Sequence, residues 1–258
     1  MKYYTGIDIG STASKVVVLD KDGMAAHFVI PTGWNSKDTS REIARRLEAL
    51  GMPVNEEMKV IATGYGRVSV EYADKVVTEI TCHGRGGDAL EGEDCTIIDI
   101  GGQDTKVITV EKAVATNFLM NDKCAAGTGK FLEIMANRLN VDLQELFELA
   151  EKGEPLAISS MCTVFAESEV ISHIGAGERR EDIAAGVVDS VVNRVAGLCS
   201  RQAMRGKVVL TGGLSESGYL IRRLSQKVGR EIHADPMSRY AGALGAAIIA
   251  RDGKKLAR

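Results

Sequence analysis

Apolar and polar positions along this chain change period several times, and each change predicts an element. Tyr3 to Ile9 is apolar and β-rich, Gly10-Ser-Thr-Ala-Ser14 interrupts it with small residues, and Lys15 to Leu19 resumes with three valines. That pattern predicts a β-hairpin. A third run, Ala25 to Ile30, makes a meander before Pro31. The period then lengthens: Ile43, Leu47 and Leu50 share one face of a helix over about Lys37 to Leu50, with Gly51 and Pro53 as stop signals. Lys59 to Ala62 is a further strand that ends in Thr63-Gly-Tyr-Gly66.

At Cys95 the opening repeats. Cys95 to Ile100 is a strand, Gly101-Gly-Gln-Asp-Thr105 a small-residue turn, and Lys106 to Val110 a second strand. Set beside one another, Asp8-Ile-Gly and Asp99-Ile-Gly stand in register, and Lys-Val follows each turn at the same spacing. This is a duplicated supersecondary unit. A turn at Met120-Asn-Asp-Lys-Cys124 follows, then helices over about Gly129 to Leu139 and Leu143 to Ala150. Ile158-Ser-Ser-Met-Cys162 leads into a helix through Ile174, and a long helix spans about Asp182 to Met204. Lys207 to Thr211 is a buried-strand pattern closed by Gly212-Gly213, followed by helices at Tyr219 to Val228 and Tyr240 to Arg251, where Gly242 and Gly245 permit close packing. The pattern predicts an α/β protein of two duplicated domains, residues 1–92 and 93–258, with the functional cleft between them.

Composition narrows the chemistry. The chain has 28 glycines but only 4 prolines in 258 residues, a bias that suits tight backbone approaches rather than low complexity. A net charge of −3 without a basic run excludes a broad nucleic-acid face, so no nucleic-acid partner is expected. No apolar run approaches the roughly 20 residues of a membrane span, and the chain opens without an apolar signal region; no membrane partner and a cytoplasmic location are expected.

The two Asp-x-Gly turns suit a nucleotide. Glycine lets backbone N–H groups approach phosphate oxygens, so Gly10, Ser11, Thr12, Ala13 and Ser14, with Lys15 as a neutralising cation, form the first candidate loop. Gly101, Gly102 and Gln103 form the second. The carboxylates of Asp8 and Asp99 are candidates for a hydrated Mg²⁺. Gly127, Thr128 and Gly129 before a helix, and Gly212 and Gly213 after a strand, add two more anion-compatible turns. Gln103 and Asp104 are candidates to orient an attacking water, and Glu167 to reach Mg²⁺ or cap its own helix.

Five cysteines, an odd and scattered set, argue against a disulfide framework. Cys124 and Cys162 each precede a helix, where the dipole favours a thiolate. One chain's pair cannot complete a four-ligand site, whereas a symmetric dimer would. Spacing alone leaves that open beside buried structural thiols. Cys95 in a strand and Cys199 on a helix read as structural, and Cys82 beside His83 is a weak metal pair.

With these turns in place, the whole chain resembles the acetate and sugar kinase, heat-shock protein and actin superfamily. The first phosphate motif lies at Asp8 to Lys15, the second at Asp99 to Asp104, connecting elements at Thr63 to Gly66 and Gly242 to Ala247, and an adenosine motif at Thr211-Gly-Gly213. The resemblance implies two actin-like (ribonuclease H-like) domains that bind ATP or ADP with Mg²⁺ in an interdomain cleft. The runs Asn121-Asp-Lys-Cys-Ala-Ala-Gly-Thr-Gly129 and Cys162-Thr-Val-Phe-Ala-Glu-Ser-Glu-Val-Ile171 closely resemble the activators of 2-hydroxyacyl-CoA dehydratases, in the wider group that includes ATPase subunits of benzoyl-CoA reductase. That implies a homodimer with one bridging [4Fe–4S] cluster on Cys124 and Cys162. It would pass single electrons from a low-potential donor such as ferredoxin or flavodoxin to an iron–sulfur acceptor enzyme as ATP is hydrolysed. The sequence departs from the activators at Gly212-Gly-Leu-Ser-Glu-Ser217, Arg239 and Ala241, which keeps a double-cubane iron–sulfur protein as an alternative acceptor. A sugar or acyl kinase, and a nucleotide-gated sensor with a structural cluster, are the rival readings on the same scaffold.

Overall fold

The computed structural model describes residues 2–121, 124–158 and 162–253. Strands β1 (Tyr3–Ile9), β2 (Ala13–Leu19) and β3 (Met24–Pro31) form the expected antiparallel meander. Helix α1 (Ser36–Ala49) starts where the Asn35 side chain accepts from the Asp38 N–H and buries Ile43 and Leu47. It returns the chain to β4 (Met58–Thr63), parallel to β1, with β5 (Lys75–Val76) beyond it. Helix α2 (Glu79–Glu91) is capped by Thr78 and ends on left-handed Gly92. The second sheet is built from β6 (Cys95–Ile100), β7 (Thr105–Glu111) and β8 (Val114–Asn121). Helices α3 (Gly129–Arg138), α4 (Leu143–Ala150), α5 (Thr163–Gly175) and α6 (Arg180–Cys199) follow. The chain then runs through β9 (Lys207–Thr211), α7 (Gly218–Val228), β10 (Ile232–His233) and α8 (Ala241–Asp252).

The sheet orders are β3-β2-β1-β4-β5 and, read from the other edge, β8-β7-β6-β9-β10. Each is a meander whose first strand pairs next with the strand after the helices, so the duplication seen in sequence is a duplication of topology. By contacts the chain divides into two units: Met1–Ile97, Ile108–Phe118 and Tyr240–Arg258, and Ile98–Val107 with Leu119–Arg239. This division is discontinuous in sequence, where the repeat alone gives one boundary at 92/93. The first unit is centred on Ile7, Ile9, Val16, Val18, Ile43 and Leu47. The second is centred on Ile98, Ile100, Phe131, Leu132, Val187 and Val191.

Besides the two-residue strands β5 and β10, helix α2 and strand β8 escape the periodicity. Helix α2 carries Gly84, Gly86 and Gly87 on its inner side, so small residues replace the large apolar ones that mark a helical face. Strand β8 is exposed or half-exposed throughout and shows no alternation. The long helix ends at Cys199 rather than near Met204. Residues 122–123 and 159–161 of the predicted turns lie outside the described residues. No helix among the described residues is long and apolar enough to cross a membrane.

Glycine sets the packing of α2 on α8. A Cβ on Gly245 would lie 1.8 Å from the Cys82 carbonyl oxygen, and one on Gly86 would lie 2.0 Å from that of Ala241. The two backbones therefore touch directly, as expected at Gly245. At the loop after β3, by contrast, the chain's single tryptophan, Trp34, is 99% exposed. Three of the five cysteines, Cys82, Cys95 and Cys199, lie in the cores. Burial pushes the Cys82 and Cys95 thiols up to about 12 and that of Cys199 to about 11.

Gly245→Ala is expected to destabilise the protein by roughly 3 kcal/mol in urea titrations, because backbone cannot yield as a side chain does. Gly197→Ala, in α6 with open space at its Cβ, should instead stabilise by up to about 1 kcal/mol. The three core thiols should resist iodoacetamide at pH 8 until the protein unfolds. Above pH 9 the unfolded chain loses thiol protons that the native state keeps, so stability should fall as pH rises toward 11, less steeply in Cys95→Ala.

Candidate functional site

In the first unit, Asp8 sits at the end of β1, paired in register with Lys15 on β2 and Thr63 on β4. The carboxylate is buried. Lys15 Nζ stands 3.8 Å from its Oδ2, while Oδ1 is buried without a hydrogen-bond partner. Space around it is kept by glycine: a Cβ on Gly64, which has φ +88°, would fall 2.4 Å from Oδ1. An unsatisfied buried carboxylate oxygen in a cradle that any side chain would fill fits a hydrated Mg²⁺. The turn Gly10 to Ser14 is held from β3: Thr32 N–H donates to the Thr12 carbonyl at 2.9 Å, and the Ser14 and Thr32 hydroxyls are 2.6 Å apart. Ser14 is therefore a buried support, while Ser11 and Thr12 reach solvent.

The second unit repeats the placement with a different outcome. Lys106, the counterpart of Lys15, has a side chain only 2% exposed; its Nζ donates to Asp104 Oδ1 at 2.7 Å and stands 3.4 Å from Asp99 Oδ2. Thr211 on β9 donates to Asp99 Oδ1 at 2.9 Å. Asp99 thus meets a lysine and a hydroxyl, whereas Asp8 keeps an oxygen open. Asp104, expected to orient water, is the main acceptor of Lys106, and the exposed Gln103 stands beside it in the turn. Gly212 follows Thr211 at φ +88°, where a Cβ would fall 2.4 Å from the Ile100 carbonyl; Gly213 next to it is exposed.

The start of α3 is fastened to this turn. Gly129 N–H donates to the Gly101 carbonyl at 2.9 Å and Lys130 N–H to that of Gly102 at 3.0 Å. Thr105 Oγ1 donates to the Gly127 carbonyl at 2.7 Å, and Thr128 Oγ1 to that of Ala125 at 2.6 Å. Gly127, Thr128 and Gly129 are buried and brace the Gly101–Gly102 turn. Cys124, three residues before Gly127, is half-buried against the second core. Cys162 is exposed at the N-cap of α5. Among the described residues no three His, Cys, Asp or Glu side chains gather for a metal ion, so one chain offers these two thiols and no closed site. Glu167, one turn into α5, pairs with Arg138 of α3 and ties together the two helices that the cysteine loops enter.

Sequence reasoning gave Lys106 and Gly64 no role of their own and weighed His83 only as a weak metal partner of Cys82. The signal for Lys106 was present, since Lys-Val stands in register in both repeats. His83 lies on the unpredicted α2, where it is buried. The departures at Glu216 and Arg239 prove to be partners: Arg239 Nη1 lies 3.0 and 3.1 Å from the two Glu216 carboxylate oxygens.

This geometry can be set beside known proteins. The chain is 47% identical to the (R)-2-hydroxyglutaryl-CoA dehydratase activating ATPase of Acidaminococcus fermentans over 255 residues, 97% of this chain and 98% of that one. The solved activator of the 2-hydroxyisocaproyl-CoA dehydratase from Clostridium difficile with bound ADPNP superposes with a TM-score of 0.90 at 42% identity, covering 97% of this chain and 94% of that one. A ROK family glucokinase from Streptomyces griseus, at 16% identity and a TM-score of 0.59 over 97% of this chain and 100% of that one, shares the actin-like fold alone. The family model for the BadF/BadG/BcrA/BcrD ATPases matches residues 5–250. With both phosphate-type turns, the duplicated sheets and this match over nearly its whole length, the chain belongs to the BadF/BadG/BcrA/BcrD ATPase family.

Proposed function

We propose that this protein is an ATP-hydrolysing electron-transfer activator. It works in the cytoplasm as a homodimer whose Cys124 and Cys162 hold one [4Fe–4S] cluster across the two chains. It takes electrons from a low-potential donor such as ferredoxin or flavodoxin and delivers them singly to an iron–sulfur enzyme, a 2-hydroxyacyl-CoA dehydratase or a double-cubane cluster protein. The relatives named as dehydratase activators support the partner class. One observation carries the reading: the two thiols outside the cores stand in the loops entering α3 and α5, and the first loop is hydrogen-bonded to the second phosphate-type turn.

The residues divide the work. Gly10 to Thr12 offer backbone and hydroxyl donors to phosphate, Lys15 neutralises its charge, and Asp8 holds Mg²⁺ through its open oxygen. Gly212 and Gly213 face the nucleoside. Gln103 orients the hydrolytic water, and Lys106, clamped by Asp104 and Asp99, fixes the turn that presents it. When bound, the cluster supplies one-electron chemistry at low potential. A shift of the Gly101–Gly102 carbonyls with nucleotide state pulls directly on the Gly129 and Lys130 amides, and so on the Cys124 loop. Exposed Phe118 and Met120 ahead of Cys124, and Val164 and Phe165 after Cys162, supply the apolar surface that keeps water from a shared centre.

Anaerobically purified protein should be a brown dimer with about four iron per two chains; a colourless, iron-free monomer would sink the proposal. Cys124→Ser or Cys162→Ser should lose the iron and the electron transfer while keeping ADP affinity. Lys15→Ala should weaken ADP or ATP binding about 10- to 100-fold with little change in stability. Lys106→Ala should do the opposite, costing about 3–5 kcal/mol in urea titrations because it strands buried carboxylates.

A further inference from the structure

Cys82-His83 is the one metal-suggestive pair of the sequence that the proposed site leaves unused, and its two halves have different fates. The Cys82 thiol is fully buried and held protonated. His83 is 5% exposed, and its ring points toward the start of α8. The point that a Cβ on Gly242 would occupy lies 3.3 Å from His83 Nε2 and 3.2 Å from Asp8 Oδ2. Three elements thus converge: the end of β1 brings the buried Asp8, α2 brings His83, and the second residue of α8 is a glycine that leaves the gap between them open. The opposite flank of the same carboxylate is kept clear by Gly64. Two glycines thus approach one buried carboxylate, Gly64 at the unsatisfied Oδ1 and Gly242 at Oδ2, and the imidazole borders the gap on the Oδ2 side.

From this convergence we infer that His83 is a positioning residue of the Mg²⁺–nucleotide site, holding the Asp8 carboxylate and the water of its cation in place across the Gly242 gap. The inference rests on the nucleotide reading above. Among the described residues no three potential ligands gather here, so His83 acts on the cation through Asp8 and bound water rather than as one member of a closed protein cage. An imidazole suits this place because one ring nitrogen can donate to a carboxylate or accept from water while its flat body packs between helix backbones as close as those of α2 and α8.

The test is calorimetric titration of ADP into the purified dimer with Mg²⁺ and with EDTA, alongside Mn²⁺ binding followed by electron paramagnetic resonance. In His83→Ala, ADP affinity in Mg²⁺ should fall about tenfold, affinity in EDTA should stay at the wild-type value, and the Mn²⁺ spectrum should change. His83→Asn, which restores a hydrogen-bonding group, should recover most of the loss. Equal losses with and without Mg²⁺ would reveal a merely structural histidine and overturn the inference, as would wild-type Mg²⁺ dependence in His83→Ala. Should that variant not fold, Gly242→Ala decides the matter: it fills the gap while keeping both side chains, and must weaken ADP binding in Mg²⁺ alone. A wild-type protein with no ADP affinity would overturn the nucleotide reading instead.

Discussion

A lysine ammonium almost wholly removed from water is the constraint around which the second unit is arranged. Asp104 and Asp99 compensate the charge of Lys106, and Lys106 and Thr211 in turn satisfy those carboxylates. The group joins the ends of β6, β7 and β9 at one point. It also fixes the conformation of Gly101 and Gly102, whose carbonyls receive the first amides of α3. Remove the ammonium, and the turn, the helix start and the Cys124 loop lose their common reference.

The first unit shows the same parts before such closure. Lys15 occupies the equivalent place, yet at 14% side-chain exposure and 3.8 Å from Asp8 it is not clamped. A duplicated unit has thus diverged in electrostatic purpose. One copy leaves a carboxylate oxygen without a hydrogen-bond partner and its lysine at a distance; the other uses the corresponding pair as an internal fastening. The difference lies largely in Asp104, a carboxylate within the second turn where the first carries small neutral residues.

Most of the fold was legible because strands and most helices carry their own periodicity. The repeat of Asp-Ile-Gly followed by Lys-Val announced the duplicated topology before any coordinate. Helix α2 was not legible, since its contact with α8 is made by absent side chains: glycines at Gly86 and Gly245 leave no apolar pattern to read. For the same reason His83 went unplaced. Strand β8 lacked a signal because neither of its faces is buried. At the site, glycines and aspartates could be picked out by type, but which lysine is clamped and which is open depends on how the Asp104 side chain, two residues before Lys106, is turned. Likewise Glu216 and Arg239 are separate departures in sequence and one ion pair in the structure.

The exposed tryptophan has a consequence for how this molecule reports on itself. Folding carries the indole of Trp34 from water to water, so its emission hardly distinguishes the native chain from the denatured one. Yet the loop that bears it begins at Thr32, which grips the carbonyl of Thr12 and the hydroxyl of Ser14 in the first phosphate-type turn. The only indole in the protein is therefore blind to unfolding and attached to the first phosphate-type turn, a built-in optical label for events at the surface rather than in the core.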